Sequence, residues 1–453
     1  MTPIPQSVPA QKPSWSDTLS VYLRRRVLIV MFLGFSSGLP LALSGSTLLY
    51  WMADVGVNLR TIGLFALVGT PYTFKFLWAP LVDALNVPWL SRRLGRRRGW
   101  LVLTQLLLMA AIVFLGLCDP LANPWLVALG GLLVATASAT QDIVIDAFRV
   151  DSLDESEQAT GINAYVVAYR IGMVVSNAGT LFLVSGFEAL GLRIHAAWNA
   201  GYVVTAALVL VGLATTLVAL EPEKSAAAEE LHRGKNAFHR LGTTVIGAFG
   251  DLFLREGVLV ALVVLAFVVL FKFTDALAGV MTGPFAVELG FSRNEYAAIV
   301  KGVGLVAALA GGFAGSFVAR AYPLAASLWI GGVIQAAANF AFSWQAVVGR
   351  DAAWLTFAIT AENFTSAVGT VIFVTYLSAL CRNPMHTAMQ YALLTALASF
   401  GRTALAAPGG RLAEATGWPA FFAICAIAAL PSLALLAWLQ RRGHFTTLTA
   451  KAN

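Results

Sequence analysis

The chain has 453 residues, of which 58% are hydrophobic and only 12% are charged, and its mean hydropathy is +0.76. A soluble domain of this size would lack the polar surface to stay in solution, so the composition indicates an integral membrane protein. The net charge of +7 does not indicate a nucleic-acid partner, because the Lys and Arg residues lie mostly in short connections between apolar segments.

Twelve apolar segments are long enough to cross a bilayer, which takes about 20 helical residues. The predicted spans are 27–49, 61–85, 99–118, 122–146, 157–185, 198–219, 256–287, 296–319, 323–345, 352–380, 387–410 and 417–439. We therefore expect an all-α protein with twelve transmembrane helices in two six-helix halves. The predicted domains are an N-terminal tail (1–26), a first bundle (27–220), a central link (221–255), a second bundle (256–440) and a C-terminal tail (441–453).

Basic residues predict the orientation of the chain in the membrane. Arg24, Arg25 and Arg26 precede the first span, an arginine-rich segment (92–98) separates the second span from the third, and the central link is also basic. The positive-inside rule then places the link and both termini in the cytoplasm. For the link itself we favour a solvated tether, with an amphipathic helix on the inner leaflet as the alternative.

The cysteine and histidine residues show no catalytic or metal-binding pattern. Cys118, Cys381 and Cys425 are odd in number and lie in or beside apolar segments, and the five His residues do not cluster. We therefore expect no disulfide framework, no metal, no other cofactor and no catalytic residue. A membrane-embedded enzyme is the alternative class, and it would need a His or a nucleophile paired with a suitable acid.

Glycines in two helices predict close helix packing. In the eighth helix, five glycines would let neighbouring backbones approach one another: Gly302, Gly304, Gly311, Gly312 and Gly315. In the first helix, the Gly38-Leu-Pro40 sequence leaves two interpretations open. It either bends a helix that lines a cavity or simply packs.

Charged residues deep in the fourth helix indicate a polar interior. Ser138, Asp142, Asp146 and Arg149 fall on one helical face. An ion at bilayer depth needs a partner or a wet cavity, so such residues are candidates for function. For Asp146, near the helix end, we favour an ion pair with Arg149 or the arginine-rich segment. Asp142 lies deeper, where a carboxylate that exchanges a proton could couple transport to a proton gradient.

Arginines near the middle of the fifth and eleventh helices would need anionic partners. Arg170 lies too deep to reach either surface, and Tyr165 and Tyr169 occupy an adjacent face. Asn163 and Asn177 recur on the arginine's own face, seven residues to either side. The partner of Arg170 is either a protein carboxylate or an anionic cargo.

The second half repeats this chemistry. Arg402 lies deep in the eleventh helix on the face of Tyr391 and Thr395, and Glu362 lies on the tenth helix beside Asn363. When the halves are superimposed, the fourth helix corresponds to the tenth and the fifth to the eleventh. Each half therefore carries an acid on one of these helices and an arginine on the other.

Two further sites leave alternatives open. On the seventh helix, Lys272 and Asp275 are one turn apart, so they form either a structural ion pair or a gate that relays protons. On the second helix, Lys75 is expected to snorkel toward the cytoplasmic face, near Asp83 and the arginine-rich segment, and is not expected to bind cargo.

Two six-helix bundles with cytoplasmic termini and a polar interior are typical of the major facilitator architecture, in which the halves rock around a central site. Beyond architecture, several segments resemble the AmpG muropeptide permease family: GFSSGLPLAL (34–43), FKFLWAPLVD (74–83), GRRRGW (95–100), SATQDIVIDA (138–147) and YRIGM (169–173). The resemblance covers nearly the whole chain and has weaker matches at Glu362 and Arg402.

This resemblance implies a multi-pass transporter of the bacterial inner membrane that imports anhydro-muropeptides, products of cell-wall breakdown, by alternating access and uses the proton gradient. It also implies that Gln141, Asp142, Asp146, Tyr169 and Arg170 are cavity or coupling residues. A siderophore, an acetyl-CoA-type anion, and a non-transporting sensor or assembly role are the alternatives. The expected partners are a small anionic sugar-peptide and the lipid bilayer, and we expect a monomer.

The sequence therefore predicts three groups of functional residues. The predicted cargo-binding residues are Arg170, Arg402, Gln141, Tyr165, Tyr169, Asn177, Tyr391 and Asn363. The predicted proton-coupling residues are Asp142, Glu362 and Asp275. The predicted gating or structural ion pairs involve Asp83, Asp146, Arg149 and Lys272.

Overall fold

A computed structural model describes residues 21–154, 157–222, 253–254, 256–381 and 387–449, and these residues form helices without any strand. The membrane segments are α1 (Arg25–Asp54), α2 (59–84), α3 (Arg96–Leu117), α4 (Pro124–Ser152), α5 (Gln158–Ala189), α6 (Ile194–Val218), α7 (Val258–Glu288), α8 (Arg293–Ala321), α9 (Leu324–Val348), α10 (Ala352–Leu380), α11 (Thr387–Ala406) and α12 (Trp418–Arg441). Within the described residues, ten of these segments are long and apolar enough to cross a membrane, all except α2 and α11. Much of the central link lies outside the described residues, so its two interpretations stay predictions.

The segment α2 is not the single helix predicted for 61–85. Its α-helical pieces Leu59–Leu64, Thr70–Phe74 and Ala79–Ala84 alternate with 3₁₀ turns at Phe65–Gly69 and Lys75–Leu77. Two of these pieces begin with a proline at the first or second helical position. Because proline has no N–H to donate, each one interrupts the ladder of helical hydrogen bonds. Because a 3₁₀ turn has about 3.0 residues and an α-helical turn about 3.6, side chains of α2 are rotated away from the positions that a regular α-helix would give them.

The helices α1 and α7 are also interrupted. The break in α1 falls at Gly45, whereas the helix continues through Pro40. The glycine-proline sequence is therefore not where α1 bends. In α7, the helical pieces Val258–Phe271 and Phe273–Glu288 meet at Lys272. Both breaks lie at membrane depth, where backbone groups freed from the helix need partners in the protein or in a cavity.

Glycines bring helices into close contact in both halves. A Cβ atom on Gly34 would lie 2.6 Å from the carbonyl oxygen of Tyr165, and one on Gly38 would collide with the backbone of Tyr169. These residues of α1 therefore pack against α5, which supports the packing interpretation, and a cavity-lining role of α1 stays a prediction. In α8, Gly311 packs against the α10 backbone, as the sequence predicts. The prediction is wrong for Gly302 and Gly312, because a Cβ atom on either would have no neighbour within 4 Å.

Helix ends define two faces of the molecule. The start of α1 lies beside the end of α4, because Arg26 pairs with Asp154 at 2.8 Å. In the second half, His444, which follows α12, bonds to Glu256 at the start of α7. We call the side with the start of α1 and the end of α12 the terminal face, and the other side the opposite face.

Among the described residues, the halves share an apolar core at one of these faces and not at the other. Toward the opposite face, one cluster of buried residues includes Trp51 and Trp198 from the first half and Phe285 and Phe422 from the second. Toward the terminal face, the described core divides into separate clusters, one within the second half and two within the first. The halves are therefore joined at the opposite face and separate toward the terminal face.

Candidate functional site

A polar cluster joins four helices in the first half. The Ser37 hydroxyl of α1 donates a hydrogen bond to the Asp142 carboxylate of α4 and lies 3.0 Å from the Tyr165 hydroxyl of α5. The Lys75 ammonium of α2 lies 3.8 Å from the same carboxylate. The Asp142 residue is only 8% exposed. A buried acid is thus held between the Lys75 ammonium and the Ser37 hydroxyl, and that hydroxyl in turn contacts Tyr165.

The environment of Lys75 corrects its predicted orientation. The sequence predicts that this side chain snorkels to the terminal face, whereas the structure directs it to Asp142. The interrupted geometry of α2 explains the difference, because Lys75 lies in the second 3₁₀ turn and Pro71 begins the preceding helical piece. The side chain of Asp83, the predicted neighbour, lies outside the described part of the structure.

Near the terminal end of α4, the predicted ion pair forms. The Arg149 guanidinium lies 3.6 Å from the Asp146 carboxylate and 5.5 Å from the centre of the Tyr165 ring. The same tyrosine hydroxyl contacts Ser37, which holds Asp142. Tyr165 therefore connects the ion pair with the buried acid.

Two predicted cargo ligands are buried between helices. Gln141 is fully buried, and its amide lies 3.5 Å from the Ser36 hydroxyl of α1. Asn177 is 1% exposed and donates 2.8 Å hydrogen bonds to Ser46 and Thr47, also on α1. In this conformation both amides join α1 to its neighbours. Their roles toward cargo stay predictions.

The two deep arginines are accessible. Arg170 and Arg402 are exposed, and neither guanidinium has a hydrogen-bond or ion-pair partner within the described chain. The aromatic neighbours Tyr169 and Tyr391 are half-buried. An arginine fork binds carboxylates in bidentate fashion, so these side chains are suited to an anionic ligand.

The face of α5 that carries Arg170 points along the junction between the halves. Asn177, seven residues away and on nearly the same face, bonds to Ser46. The second half reaches the same hydroxyl, because the Lys301 ammonium of α8 lies 3.3 Å from it. Arg170 therefore lies about 10 Å along this junction toward the terminal face, where the halves separate.

The second half holds its own polar cluster at the break in α7. The Lys272 ammonium lies 2.5 Å from the Asp275 carboxylate, which also accepts a 2.6 Å hydrogen bond from the Ser366 hydroxyl of α10. One turn before Ser366, Glu362 accepts a 2.7 Å hydrogen bond from Asn363. The predicted Lys272–Asp275 pair is therefore formed and bound to α10. Asn363 faces its own helix and Gly304 of α8.

Three cationic side chains that connect the halves are not among the residues that the sequence predicts. Arg293, at the start of α8, pairs with Asp54 at 2.7 Å and also contacts Glu188, so it joins α8 to the ends of α1 and α5. Arg60 of α2 lies 3.7 Å from Glu414, which follows α11. The third is Lys301. In the sequence, Arg60 and Arg293 are isolated basic residues in short loops, and no local pattern marks them.

The sequence predicts neither a metal site nor a disulfide framework. No group of three His, Cys, Asp or Glu residues in the described part of the chain could hold a metal, and Cys118, Cys381 and Cys425 form no disulfide there. The sequence does not predict that His444 lies beside an acid, but the structure brings the two together. Its imidazole lies 3.1 Å from Glu256 and 3.1 Å from the Tyr376 hydroxyl. Both rings are at most 2% exposed, so this network fastens the last helix (His444–Thr449) onto the bundle.

Comparisons with known proteins agree with this architecture. Residues 30–383 match the profile of the Major Facilitator Superfamily. The chain is 36% identical over 433 residues to an anhydromuropeptide permease of Escherichia coli (strain K12), which covers 95% of this chain and 83% of the relative. It is 34% identical over 419 residues to the putative transporter AmpG 4 of Rickettsia felis, which covers 92% of this chain and 97% of the relative.

Solved structures show the same fold. The nucleoside transporter NupG has a TM-score of 0.66 at 14% identity, over 90% of this chain and 98% of its own. A structure described for substrate recognition in proton-dependent oligopeptide transporters has a TM-score of 0.65 at 14% identity, over 92% of this chain and 99% of its own. At these identities the likeness concerns the fold.

Proposed function

Because the chain belongs to the Major Facilitator Superfamily and, within it, to the AmpG-like permeases, we propose that it imports anhydromuropeptides into the bacterial cytoplasm by alternating access. It is a multi-pass membrane transporter and not an enzyme. The similarity to the Escherichia coli permease over 95% of this chain carries the choice of cargo.

The exposed arginines support an anionic sugar-peptide as cargo. Arg170 and Arg402 are contributed by different halves, and each is free to bind a carboxylate. The half-buried rings of Tyr165, Tyr169 and Tyr391 offer apolar faces on which sugar rings can pack. Cargo that contacts both arginines would bind the two halves together, which is how binding favours a change of conformation in a rocking carrier.

The orientation follows from charge. We propose that the terminal face is cytoplasmic and that the membrane is the bacterial inner membrane. The basic residues at the start of α1 and in 92–98 lie at this face, as the positive-inside rule requires. The core divides toward the same face. The conformation described here is then the one that releases cargo to the cytoplasm.

We further propose that a proton gradient drives transport. Asp142 in the first half and Glu362 in the second are acids at membrane depth, held by hydroxyl, amide or ammonium groups. Asp275 is the third candidate, but its direct pairing with Lys272 favours a structural or gating role. No resident cofactor is part of this proposal, and we propose a monomer as the working unit.

A thermal-shift screen of the purified protein tests the cargo. Ligand that binds only the folded state stabilises it by about 2.7 kcal/mol at 100 times Kd, so the melting temperature rises with ligand concentration. We expect a shift with an anhydro-disaccharide tripeptide and none with a siderophore or acetyl-CoA. A shift with one of the latter compounds alone would reassign the cargo. No shift with any of them, together with no counterflow in proteoliposomes, would favour a non-transporting role.

A further inference from the structure

The environment of Lys301 differs from that of an ordinary buried lysine. The residue is half-buried in a π-helical stretch, Ala297–Val303, at the beginning of α8. Stretches of π-helix are rare and are frequent at functional sites. The ammonium donates one hydrogen bond, across the junction between the halves, to the Ser46 hydroxyl at 3.3 Å. It also lies 5.9 Å from the centre of the Tyr296 ring.

Two other lysines at membrane depth provide a comparison. Lys272 pairs with Asp275 at 2.5 Å, and Lys75 lies 3.8 Å from Asp142. Lys301 has no carboxylate within ion-pair distance in the described chain, although Glu362 is near enough to interact with it electrostatically. An ammonium group has three N–H donors, and one of them makes a hydrogen bond to the described residues.

The Ser46 hydroxyl already accepts a hydrogen bond from within its own half. Its hydroxyl accepts a 2.8 Å hydrogen bond from Asn177 of α5 in addition to the bond from Lys301. The contact between Lys301 and this neutral hydroxyl is therefore shared and long. A carboxylate would bind the ammonium more strongly, because charge-assisted hydrogen bonds are about twice as strong as neutral ones.

We propose that Lys301 is a third cationic ligand for the cargo. Its ammonium binds a cargo carboxylate at the end of the site nearest the opposite face, where the halves are joined, and loses its hydrogen bond to Ser46 when it does so. This assignment rests on the proposed function. It gives the cavity a specificity for anionic groups that does not depend on the exposed arginines alone. It also connects cargo binding to the junction, since the bond that is lost joins α8 to α1.

The location supports this coupling. Arg293, whose ion pairs hold the halves together at the opposite face, precedes Lys301 by eight residues on α8. That separation is about 12 Å along the helix. A cargo group that moves Lys301 would therefore act on α8, the helix whose Arg293 forms ion pairs with the first half.

Binding of two matched compounds tests the assignment. One is an anhydro-disaccharide tripeptide with free carboxylates, and the other is the same compound with the carboxylates converted to carboxamides. Titration calorimetry on the full-length protein in nanodiscs gives a preference, the ratio of the two affinities. We expect wild-type protein to prefer the free acid. In Lys301→Gln that preference should fall about tenfold or more, as expected for one charge-assisted contact.

Three further variants make the result specific. Arg320→Gln removes a positive charge from the exposed terminal end of α8 and should keep the wild-type preference. Lys301→Arg should retain a preference for the free acid. Ser46→Ala retains Lys301 but releases its described hydrogen bond, so its affinity for the free acid should rise while the affinity for the amide stays the same.

Each contrary outcome has one meaning. An unchanged preference in Lys301→Gln would overturn the assignment of Lys301 and leave the cargo proposal standing. If Lys301→Gln does not fold, equal weakening of both compounds by Ser46→Ala would overturn the assignment. Wild-type protein that binds neither compound would overturn the cargo proposal, and the role of Lys301 with it.

Discussion

Lys75 of α2 lies 3.8 Å from the carboxylate of Asp142 on α4, and a short hydrogen bond from Ser37 holds the same carboxylate. The sequence places both an acid and a base at membrane depth but does not show whether they are in contact. The structure brings the two side chains together. A charge away from water is tolerated when it has a partner. When Asp142 accepts a proton, Lys75 loses that partner, so protonation would change a contact between two helices.

The first prediction concerns coupling at Asp142. Asp142→Asn keeps the shape and can still accept a hydrogen bond from Ser37, but it cannot exchange a proton. We expect loss of gradient-driven accumulation in vesicles, while exchange of labelled for unlabelled cargo continues. The matched substitution Asp151→Asn removes a carboxylate from an ion pair with Arg97 at the terminal end of α4, away from the Asp142 cluster, and should accumulate cargo normally. Normal accumulation by Asp142→Asn would move coupling to Glu362.

The second prediction concerns the exposed arginines. Arg170→Ala and Arg402→Ala should each weaken cargo binding about 10- to 150-fold, because a hydrogen bond to a charged group contributes about 1.5–3 kcal/mol. Folding should be unaffected, since neither guanidinium has a partner in the described chain. Arg170→Lys should also bind poorly, because a point charge does not replace a bidentate fork. Calorimetric affinities at or near wild type in both alanine variants would make the arginines structural.

The third prediction concerns the junction at the opposite face. Arg293→Ala leaves Asp54 and Glu188 without their shared cation, which for a largely buried pair costs about 3–5 kcal/mol. The cost falls on the conformation that is closed at this face, so opening there should become more frequent. Arg350→Ala is the control, because its pair with Glu295 lies within one half and is exposed, and such pairs contribute about 0–1 kcal/mol.

Thiol labelling measures this opening. Ala286→Cys, in a background without the three native cysteines, introduces a thiol into the shared core of the two halves. A membrane-impermeant reagent added at the opposite face should label it faster in Arg293→Ala than in Arg350→Ala. Equal labelling rates in the two variants would show that the Arg293 ion pairs do not hold this face closed.

The fourth prediction separates adjacent glycines of α8. A Cβ on Gly311 would collide with the carbonyl oxygen of Phe364 on α10, whereas nothing lies within 4 Å of a Cβ on Gly312. Gly311→Ala should therefore destabilise the protein by about 1–3 kcal/mol. Gly312→Ala should be neutral or stabilise it by up to about 1 kcal/mol, because alanine favours helix. Thermal unfolding of both variants in the same detergent measures this difference. Equal melting temperatures of the two variants would contradict the described packing.

The membrane class and the paired chemistry of the halves could be predicted from the sequence because they depend on local composition. Bilayer-length apolar runs define the helices, and charges at i and i+3 predict the Lys272–Asp275 and Asp146–Arg149 pairs. These features need no knowledge of how distant segments meet.

The inter-half contacts could not be predicted in this way. The Lys301–Ser46 bond joins residues 255 positions apart, and Arg293 meets Asp54 across 239 positions. The contact between Lys75 and Asp142 could not be predicted, because the sequence predicts a regular helix for α2. Prolines and 3₁₀ turns in α2 redirect the Lys75 side chain. The glycine-proline sequence at Gly38 is also typical of a helix bend. The close approach of the Tyr169 backbone, which is 131 residues away in sequence, shows that Gly38 permits helix packing.

Uptake of labelled cargo into vesicles tests the central claim most directly. Vesicles that contain this protein, under an inward proton gradient, should accumulate a labelled anhydro-disaccharide muropeptide above its external concentration. Collapse of the gradient should abolish accumulation, and an unlabelled siderophore should not compete. Absence of muropeptide uptake, with gradient-driven uptake of a siderophore or acetyl-CoA in the same vesicles, would contradict the proposed cargo.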